Sequence, residues 1–191
     1  MPTTDAYSPR MPFGMFGGTH VNPQSEIFSN MISHARIVMA PQRPDLDMQK
    51  TSIFLAGITT NTGEPDWRET LTNALQDRPV TILNPNRPDW DSTWKESFSD
   101  SRWEEQIRWE LDMQETANIL VFMFHRATEA PISLMEFGLA VKTKKVIVCA
   151  HDDYKKRGNV EAVCSRFGAK LTNTEEELRE ALLEMLDSQL E

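Results

Sequence analysis

From Thr51 onward, short apolar runs alternate with longer segments in which apolar residues recur at helical intervals. The apolar runs have the length of buried strands and lie at residues 53–56, 80–83, 119–124 and 146–149. The segments of helical periodicity lie at residues 67–75, 103–116, 132–141, 160–167 and 175–190. Such an alternation is typical of a parallel sheet with helices on both faces. We therefore expect an α/β fold, a three-layer sandwich of the flavodoxin or Rossmann type, with a central parallel sheet of about five strands.

Residues 1–48 differ from the rest of the chain, because they show little periodicity and hold many Pro, Gly, Ser and Asn residues. Such a composition is typical of irregular structure. A short apolar run at residues 35–40, closed by Pro41, could add an edge strand to the sheet. We expect a mostly irregular N-terminal arm at 1–48 and a single domain at 49–191.

Charge and apolar content exclude several classes of protein. The formal net charge of -9 disfavours binding to the phosphate backbone of nucleic acids. The longest apolar run, at 119–124, is far shorter than the roughly 20 residues that a membrane-spanning helix needs. The chain does not start with a basic stretch followed by an apolar core. We expect Cys149 and Cys164 to be core thiols in a reducing compartment, which makes the cytoplasm the default location.

The loops that follow the predicted strands are the places to look for chemistry, because parallel sheets bind ligands beyond the carboxyl ends of their strands. These loops span residues 57–63, 84–94, 125–131 and 151–159. None of them carries a glycine-rich phosphate loop or a serine nucleophile elbow. The four histidines lack the spacing of metal ligands, so we expect neither a metal nor a cofactor.

The most informative segment is the helix predicted after the third of these loops. Pro131 suits the first turn of that helix, where its missing N–H costs nothing, and Glu136 follows among apolar residues. Burying a carboxylate there is costly unless another group compensates the charge. A nearby helix N-terminus would favour the ionised form, which a nucleophile needs. The alternative is a Glu136 that faces solvent on an amphipathic helix.

An ordered set of segments extends over about residues 50–180. Its members are 52–57, Asn84-Pro-Asn-Arg87, Trp90-Asp-Ser-Thr-Trp94, 103–119, 133–140 and 158–164. In this order and spacing the set resembles the nucleoside 2-deoxyribosyltransferase superfamily, and within it the deoxyribosyltransferase-like branch. The resemblance implies an enzyme that acts on a small-molecule nucleoside or nucleotide.

The resemblance also implies the roles of two acidic residues. Glu136 matches the family's nucleophile, which attacks C1′ of the sugar to form a covalent glycosyl-enzyme that a second base or water then resolves. Glu110 stands where the family carries an Asp on the helix before the third strand, and it is the candidate acid that protonates the departing base. Asp112 is a second candidate for that role. A surface salt bridge between Glu110 and Arg108, or another basic group, is the alternative.

Substrate contacts are expected from the strand-end loops. Candidates are Gly57, Asn84, Arg87, Asp91, Trp94 and Asn159. Tryptophan rings could stack on a base while Asn or Asp reads its polar edge; the alternative is a structured loop whose tryptophans plug the core. For Asn159 the resemblance implies a contact with the ligand of a neighbouring subunit, and a helix N-cap before Val160 is the alternative.

Two departures from the family pattern bear on the substrate. Ala130 stands where the transferases commonly have Asp and the nucleotide-hydrolysing relatives a phosphate-binding Ser, and the loop at 57–61 lacks their phosphate-binding Arg. Nucleosides are therefore favoured over monophosphates, although Arg87 or Arg126 could replace those contacts. We expect N-glycosyl transfer or hydrolysis in at least a dimer. The alternatives are a non-catalytic nucleoside or nucleotide sensor and a nucleoside 5′-monophosphate N-glycosidase.

Overall fold

A computed structural model describes residues 34–44, 50–59 and 61–188 of the chain. Among these residues, one sheet contains the strands β1 (Arg36–Met39), β2 (Thr51–Gly57), β3 (Val80–Asn84), β4 (Ile119–Phe124), β5 (Lys145–Ala150) and β6 (Lys170–Thr172). The helices are α1 (Trp67–Ala74), α2 (Ser101–Thr116), α3 (Pro131–Ala140), α4 (Arg157–Phe167) and α5 (Glu175–Asp187). The predicted α/β fold with a central parallel sheet is confirmed.

The order of the strands determines where a ligand can bind. All strand pairs are parallel, and the order is β1-β3-β2-β4-β5-β6. The chain runs from β2 to β3 on one side, then crosses over to place β4 on the other side of β2 and continues outward through β5 and β6. The direction therefore reverses between β2 and β4. Parallel sheets form a ligand-binding crevice at the carboxyl ends of the strands at such a point.

Two apolar layers hold the helices on the sheet, because successive side chains of a strand point to opposite faces. Phe54 of β2 packs with Trp109 of α2, and α3 and α4 lie in the same layer. Ile53 belongs to the opposite layer, which includes Leu71 of α1 and part of α5. Cys149 and Cys164 are buried as free thiols. No helix among the described residues is long and apolar enough to cross a membrane.

The structure extends the prediction at the edges of the sheet. The possible edge strand at 35–40 exists as β1 and pairs with β3, so part of the predicted arm belongs to the main sheet. The unpredicted strand is β6, which has three residues and only one apolar side chain, too few to produce a pattern. Helix α2 begins earlier than its apolar pattern because Asp100 caps it, accepting a hydrogen bond from Arg102 N. The rest of the predicted arm, at 1–33 and 45–48, lies outside the described residues.

Candidate active site

Glu136 lies on the buried face of α3. Only 7% of Glu136 is exposed to solvent, so the alternative of a solvent-facing Glu136 is wrong. The neighbouring Phe137 explains this orientation, because its ring packs edge-on against Phe122 and Phe124 of β4 with centroids 5.5 and 6.0 Å away. That packing fixes the rotation of the helix and turns Glu136 inward.

Burial, one hydrogen bond and two nearby charges set the protonation state of the Glu136 carboxyl. Gln114 of α2 donates from Nε2 to Glu136 Oε1 at 2.7 Å. Burial raises the pKa of Glu136 to about 7; the negative charge of Glu110 adds to the rise, whereas the Gln114 bond and the charge of Arg68 oppose it. The surroundings therefore favour the protonated form, opposite to the expectation from a helix N-terminus, and near neutral pH both forms of Glu136 are populated.

Glu110 lies one turn before Gln114 on the same helix. Its Oε1 accepts a hydrogen bond of 2.6 Å from Gln106 Nε2. Burial raises the pKa of Glu110, and the Gln106 bond and the charge of Arg68 partly offset that rise. The alternative of a salt bridge with Arg108 is wrong, since Arg108 pairs with Glu104 at 2.8 Å.

The second candidate acid, Asp112, points elsewhere on α2. It is exposed and forms an ion pair of 2.7 Å with Arg43. Glu110 is therefore the acid of this helix that lies within electrostatic reach of Glu136.

Arg68 is the cation of this cluster, and the sequence analysis missed it. It is only 2% exposed, and its guanidinium donates hydrogen bonds to the carbonyl oxygens of Leu55, Gly57 and Ile58. Burial lowers the pKa of Arg68 to about 10, while the charges of Asp66, Glu110 and Glu136 act in the opposite direction. Arg68 thus fastens the end of β2 and directs a positive charge towards both carboxyls.

The signal for Arg68 is weak in the sequence. Arg68 occupies the second position of α1, directly after Trp67. From the sequence alone it is indistinguishable from an ordinary basic residue on an amphipathic helix. Only the packing of α1 against the sheet brings its side chain under the carboxyl end of β2. Gln106 and Gln114 were missed for the same reason, since an amide on a helix carries no pattern of its own.

Two cavities open beside the reversal point of the sheet. The first, of about 330 Å³, is lined by Ile58, Thr59, Asn61, Thr62, Glu64, Pro65, Asp66, Trp67, Arg68, Asn86, Met123, His125 and Glu175. The second, of about 380 Å³, is lined by Thr59, Pro85, Asn86, Arg87, Trp90 and Gln106. They share Thr59 and Asn86 and are therefore adjacent. Neither is lined by Glu136 or Glu110, so neither matches the expectation that both carboxyls line one cavity.

The loop after β3 holds four predicted site residues, and their polar groups bond within the loop or to α2. Asn84 accepts a hydrogen bond from Asn86 N at 3.0 Å. Arg87 bonds Asp89 and, at 2.7 Å, Glu105 of α2.

Asp91 and Trp94 complete the same loop. Asp91 accepts hydrogen bonds from the backbone N–H and the hydroxyl of Thr93. Trp94 is buried beneath the guanidinium groups of Arg87 and Arg102, with centroid distances of 4.9 and 5.3 Å. Trp94 is therefore buried within the loop and belongs to neither of the two apolar layers described above, so it does not plug the core as the alternative had it, and Trp90 is 52% exposed.

Gly57 and Asn159 lie at the edges of this region. Gly57 has a φ of 127°, and a Cβ there would come within 2.4 Å of the carbonyl oxygen of Met123, so glycine is required for β2 and β4 to lie this close. Asn159 is an exposed residue inside α4, and Lys156 rather than Asn159 occupies the N-cap position. The N-cap alternative for Asn159 is therefore wrong.

A histidine pair extends the first cavity. His125 is buried, with Nε2 3.3 Å from Glu64 Oε2, and Nδ1 accepts from Ala127 N at 3.0 Å. The proton of a neutral His125 therefore lies on Nε2, facing Glu64. The His151 ring packs edge-on against it at 4.4 Å. No group of three or more His, Cys, Asp or Glu side chains within the described residues could hold a metal ion.

The fold and the buried carboxyl pair define an α/β protein with two buried acidic side chains beside the reversal point of its sheet. The sequence profile of the family described as nucleoside 2-deoxyribosyltransferase like matches residues 50–154, and the chain belongs to this family. The matched region contains Arg68, Glu110 and Glu136.

A solved structure supports the fold independently. The crystal structure of a conserved protein from Enterococcus faecalis V583 superposes with a TM-score of 0.51 at 14% sequence identity, over 72% of this chain and 99% of that chain. At this identity the likeness concerns the fold alone. Among curated proteins, no sequence matches the chain significantly.

Proposed function

We propose that the protein cleaves or transfers the N-glycosidic bond of (deoxy)nucleosides through a covalent glycosyl intermediate on Glu136. The observation that carries this proposal is the buried pair of carboxyls, Glu136 and Glu110, next to the reversal point of the sheet. A nucleophile and a proton donor are the two groups that this reaction needs. Family membership supports a nucleoside as the substrate.

In the first step, a carboxylate oxygen of Glu136 forms a bond to C1′ of the sugar while the bond from C1′ to the base nitrogen breaks. The electron pair of that bond leaves with the base, and Glu110 in its acid form donates a proton to it. In the second step, water or another base attacks C1′ and releases Glu136, and the Glu110 carboxylate accepts the proton of the attacking molecule. Water gives hydrolysis, and a second base gives transfer.

The mechanism requires a different protonation state of each carboxyl. Glu136 must be ionised to attack; burial opposes that form, while the charge of Arg68 and the Gln114 bond favour it. Glu110 must be protonated to act as an acid, and burial favours that form. Activity should therefore depend on pH through both groups, because ionisation of Glu136, with a pKa of about 7, enables attack, and loss of the Glu110 proton removes the acid.

The test is incubation of the protein with a panel of nucleosides and deoxynucleosides, with and without an acceptor base, followed by chromatography. Glu136→Gln should lower turnover by several orders of magnitude, each factor of ten being about 1.4 kcal/mol of barrier. Acid quenching and intact-protein mass spectrometry should detect a glycosyl adduct that Glu136→Gln lacks. Glu115→Gln, an exposed carboxyl on α2, is the matched control and should keep full activity.

Near-normal turnover of Glu136→Gln would refute the proposal. Binding of nucleosides without turnover by the unmodified protein would instead favour the sensor. The nucleotide alternative is disfavoured by charge, because the carboxylates Glu64, Asp66 and Glu175 line the first cavity. The cation that lines it, Arg68, is bonded to backbone carbonyls. A 5′-phosphate would meet net repulsion there.

The proposal includes an assembly of at least two subunits. Its support is an exposed apolar stripe on α3, formed by Ile132, Met135 and Leu139 at helical spacing. Glu136 lies one helical turn after Ile132, at the edge of this stripe, so a partner that covers the stripe would also fix the catalytic helix. Asn159 is exposed on α4 and is accessible to a neighbour. Light scattering that finds an active monomer would contradict the assembly.

A further inference from the structure

The nitrogen and the oxygen of the Gln106 side-chain amide, on α2, differ in their hydrogen bonding. The residue is 4% exposed. Its Nε2 donates to the carbonyl oxygen of Pro85 at 2.8 Å and to Glu110 Oε1 at 2.6 Å. Both partners are acceptors, so the amide cannot be turned around without losing both bonds. The other end, Oε1, is buried and has no hydrogen-bond partner among the described residues.

Such an unpartnered acceptor is costly, since a buried polar group without a hydrogen bond lowers stability by about 1–3 kcal/mol. Native proteins keep few of them, and a ligand is a common reason. Gln106 lines the cavity of about 380 Å³, within the range of roughly 300–1,000 Å³ for small-molecule sites. The unpartnered oxygen therefore belongs to a side chain in the wall of a site that can receive a ligand.

The same cavity offers an aromatic surface. Trp90 lines it with an indole that is 52% exposed, whereas Trp94 beside it is buried. The Arg87 guanidinium is held by Asp89 and Glu105, so its charge is already compensated. The cavity thus combines one ring available for stacking with one hydrogen-bond acceptor. A flat heterocycle with an N–H donor on its edge is the chemical class that uses both.

We propose that Gln106 reads the base of the substrate: its Oε1 accepts a hydrogen bond from an exocyclic amino group of a base that stacks on Trp90. This inference rests on the proposed function and specifies the class of base. Because Nε2 of the same amide holds Glu110, recognition of the base at one end of Gln106 fixes the acid that protonates the base at the other. A base that lacks the donor would leave Oε1 buried and unpaired.

The experiment is a direct binding measurement, by calorimetry or tryptophan fluorescence, on two pairs of free bases. Adenine is compared with purine, and cytosine with 2-pyrimidinone; each pair differs by one amino group. The amino-bearing base should bind about tenfold more tightly, which corresponds to one neutral hydrogen bond. Gln106→Met has a similar size and lacks the acceptor, so it should bind both members of a pair equally. Trp90→Ala should weaken all four bases to the same extent.

Gln76→Met, a change at an exposed glutamine after α1, is the matched control and should retain the discrimination. If circular dichroism shows that Gln106→Met does not fold, the binding of the two pairs of bases to the unmodified protein is sufficient to test the inference. Equal binding within both pairs, or no binding of any of the four bases, would overturn the inference. Binding needs no bond cleavage, so selective binding without turnover refutes only the proposed function, and turnover without selectivity refutes only the role of Gln106.

Discussion

Two polar regions follow the neighbouring strands β2 and β3, and they differ in how their charges are balanced. In the loop after β3, Arg87 pairs with two carboxylates and Asp91 bonds Thr93, so charges and donors are matched within exposed structure. In the buried cluster, Glu136 and Glu110 are each held by one amide, and Arg68 is bonded to backbone carbonyls.

The outcome of this difference is visible in the pKa directions. Bonds to Arg87 and Thr93 lower the pKa of Asp89 and Asp91, respectively, while burial raises those of Glu110 and Glu136. The loop therefore keeps its acids ionised and stabilises itself. In the buried cluster, the raised pKa values bring the two acids closer to titrating near neutral pH. This lowers stability and suits proton transfer.

The largest expected effect comes from removing the cation of the cluster. Arg68→Met removes a donor from three carbonyls, of which that of Ile58 keeps a hydrogen bond from Trp67 Nε1, and it removes the positive charge that faces two carboxyls. We expect the free energy of unfolding to fall by about 3–5 kcal/mol in urea titrations at neutral pH, as when a buried charge loses its partner. Arg68→Lys keeps the charge but not the forked donors, so it should lose less.

The control for this comparison is Arg87→Met, which removes a cation whose partners are exposed carboxylates. The Arg87 side chain is only 6% exposed, but Asp89 and Glu105 are exposed and remain solvated when Arg87 is removed, so the loss should be below that of Arg68→Met. Equal losses for the two variants would mean that the two regions do not differ in the way described.

The second effect is the pH dependence of stability at Glu136. Its pKa is about 7 in the folded protein and about 4.5 in the unfolded chain, so between these pH values the folded state binds the extra proton. Stability is favoured below about pH 4.5 and is lost as pH rises through 7, by about 3 kcal/mol in total. Glu136→Gln mimics the protonated acid and does not titrate. It should be more stable than the unmodified protein at pH 8 and nearly equal to it at pH 5.

Urea titrations of both proteins at the two pH values check this. The difference between them reports the titration of Glu136 together with its coupling to Glu110, because more distant groups titrate alike in both proteins. A constant difference across this range would show that burial does not raise the pKa of Glu136.

The sequence predicted the fold well because buried strands and helices require apolar residues at regular intervals. The apolar runs at 53–56, 80–83, 119–124 and 146–149 correspond to β2, β3, β4 and β5, and their order with the helices implied parallel pairing. Strand β6 was missed because an edge strand of three residues shows no run. Glu136 was a candidate through a motif, and its burial follows from the packing of Phe137, which a single sequence states only indirectly.

The partners of the site could not be predicted in this way. Arg68, Gln106 and Gln114 contact the carboxyls or the strand end across 13 to 22 positions of sequence or from one helical turn away, and their residue types are common on helix surfaces. The loop residues Arg87 and Trp94 look equally suited to bind a ligand until their partners are known. Residue type and position in the sequence suggest candidate site residues. Only the three-dimensional contacts show which of their polar groups can still bind a ligand.

The third effect concerns Glu110 as the proton donor. Glu110→Gln keeps an acceptor for Gln106 but cannot protonate the leaving base, so kcat should fall about a hundredfold, at the lower end for acid catalysis. The loss should shrink for a substrate whose base leaves without protonation, measured by steady-state kinetics on both substrates. The contribution of Glu110 to the pH dependence of activity should also disappear. Equal losses on the two substrates would assign Glu110 a positioning role instead.

The smallest effect is expected at Asp91, in the region whose charges are already matched. Its carboxylate accepts from the backbone N–H of Thr93 at 2.7 Å and from the Thr93 hydroxyl, an arrangement that folds the loop upon itself. Asp91→Asn keeps the accepting oxygen, so Tm and KM should both stay close to those of the unmodified protein. Asp91→Ala removes the acceptor and should lower Tm slightly while changing KM by less than about threefold, which is under 1 kcal/mol of binding. Thermal unfolding and steady-state kinetics on the same samples separate the two roles. A large rise in KM in both variants at unchanged Tm would support the predicted substrate contact of Asp91, and it would place the loop after β3 in the same functional class as the buried cluster.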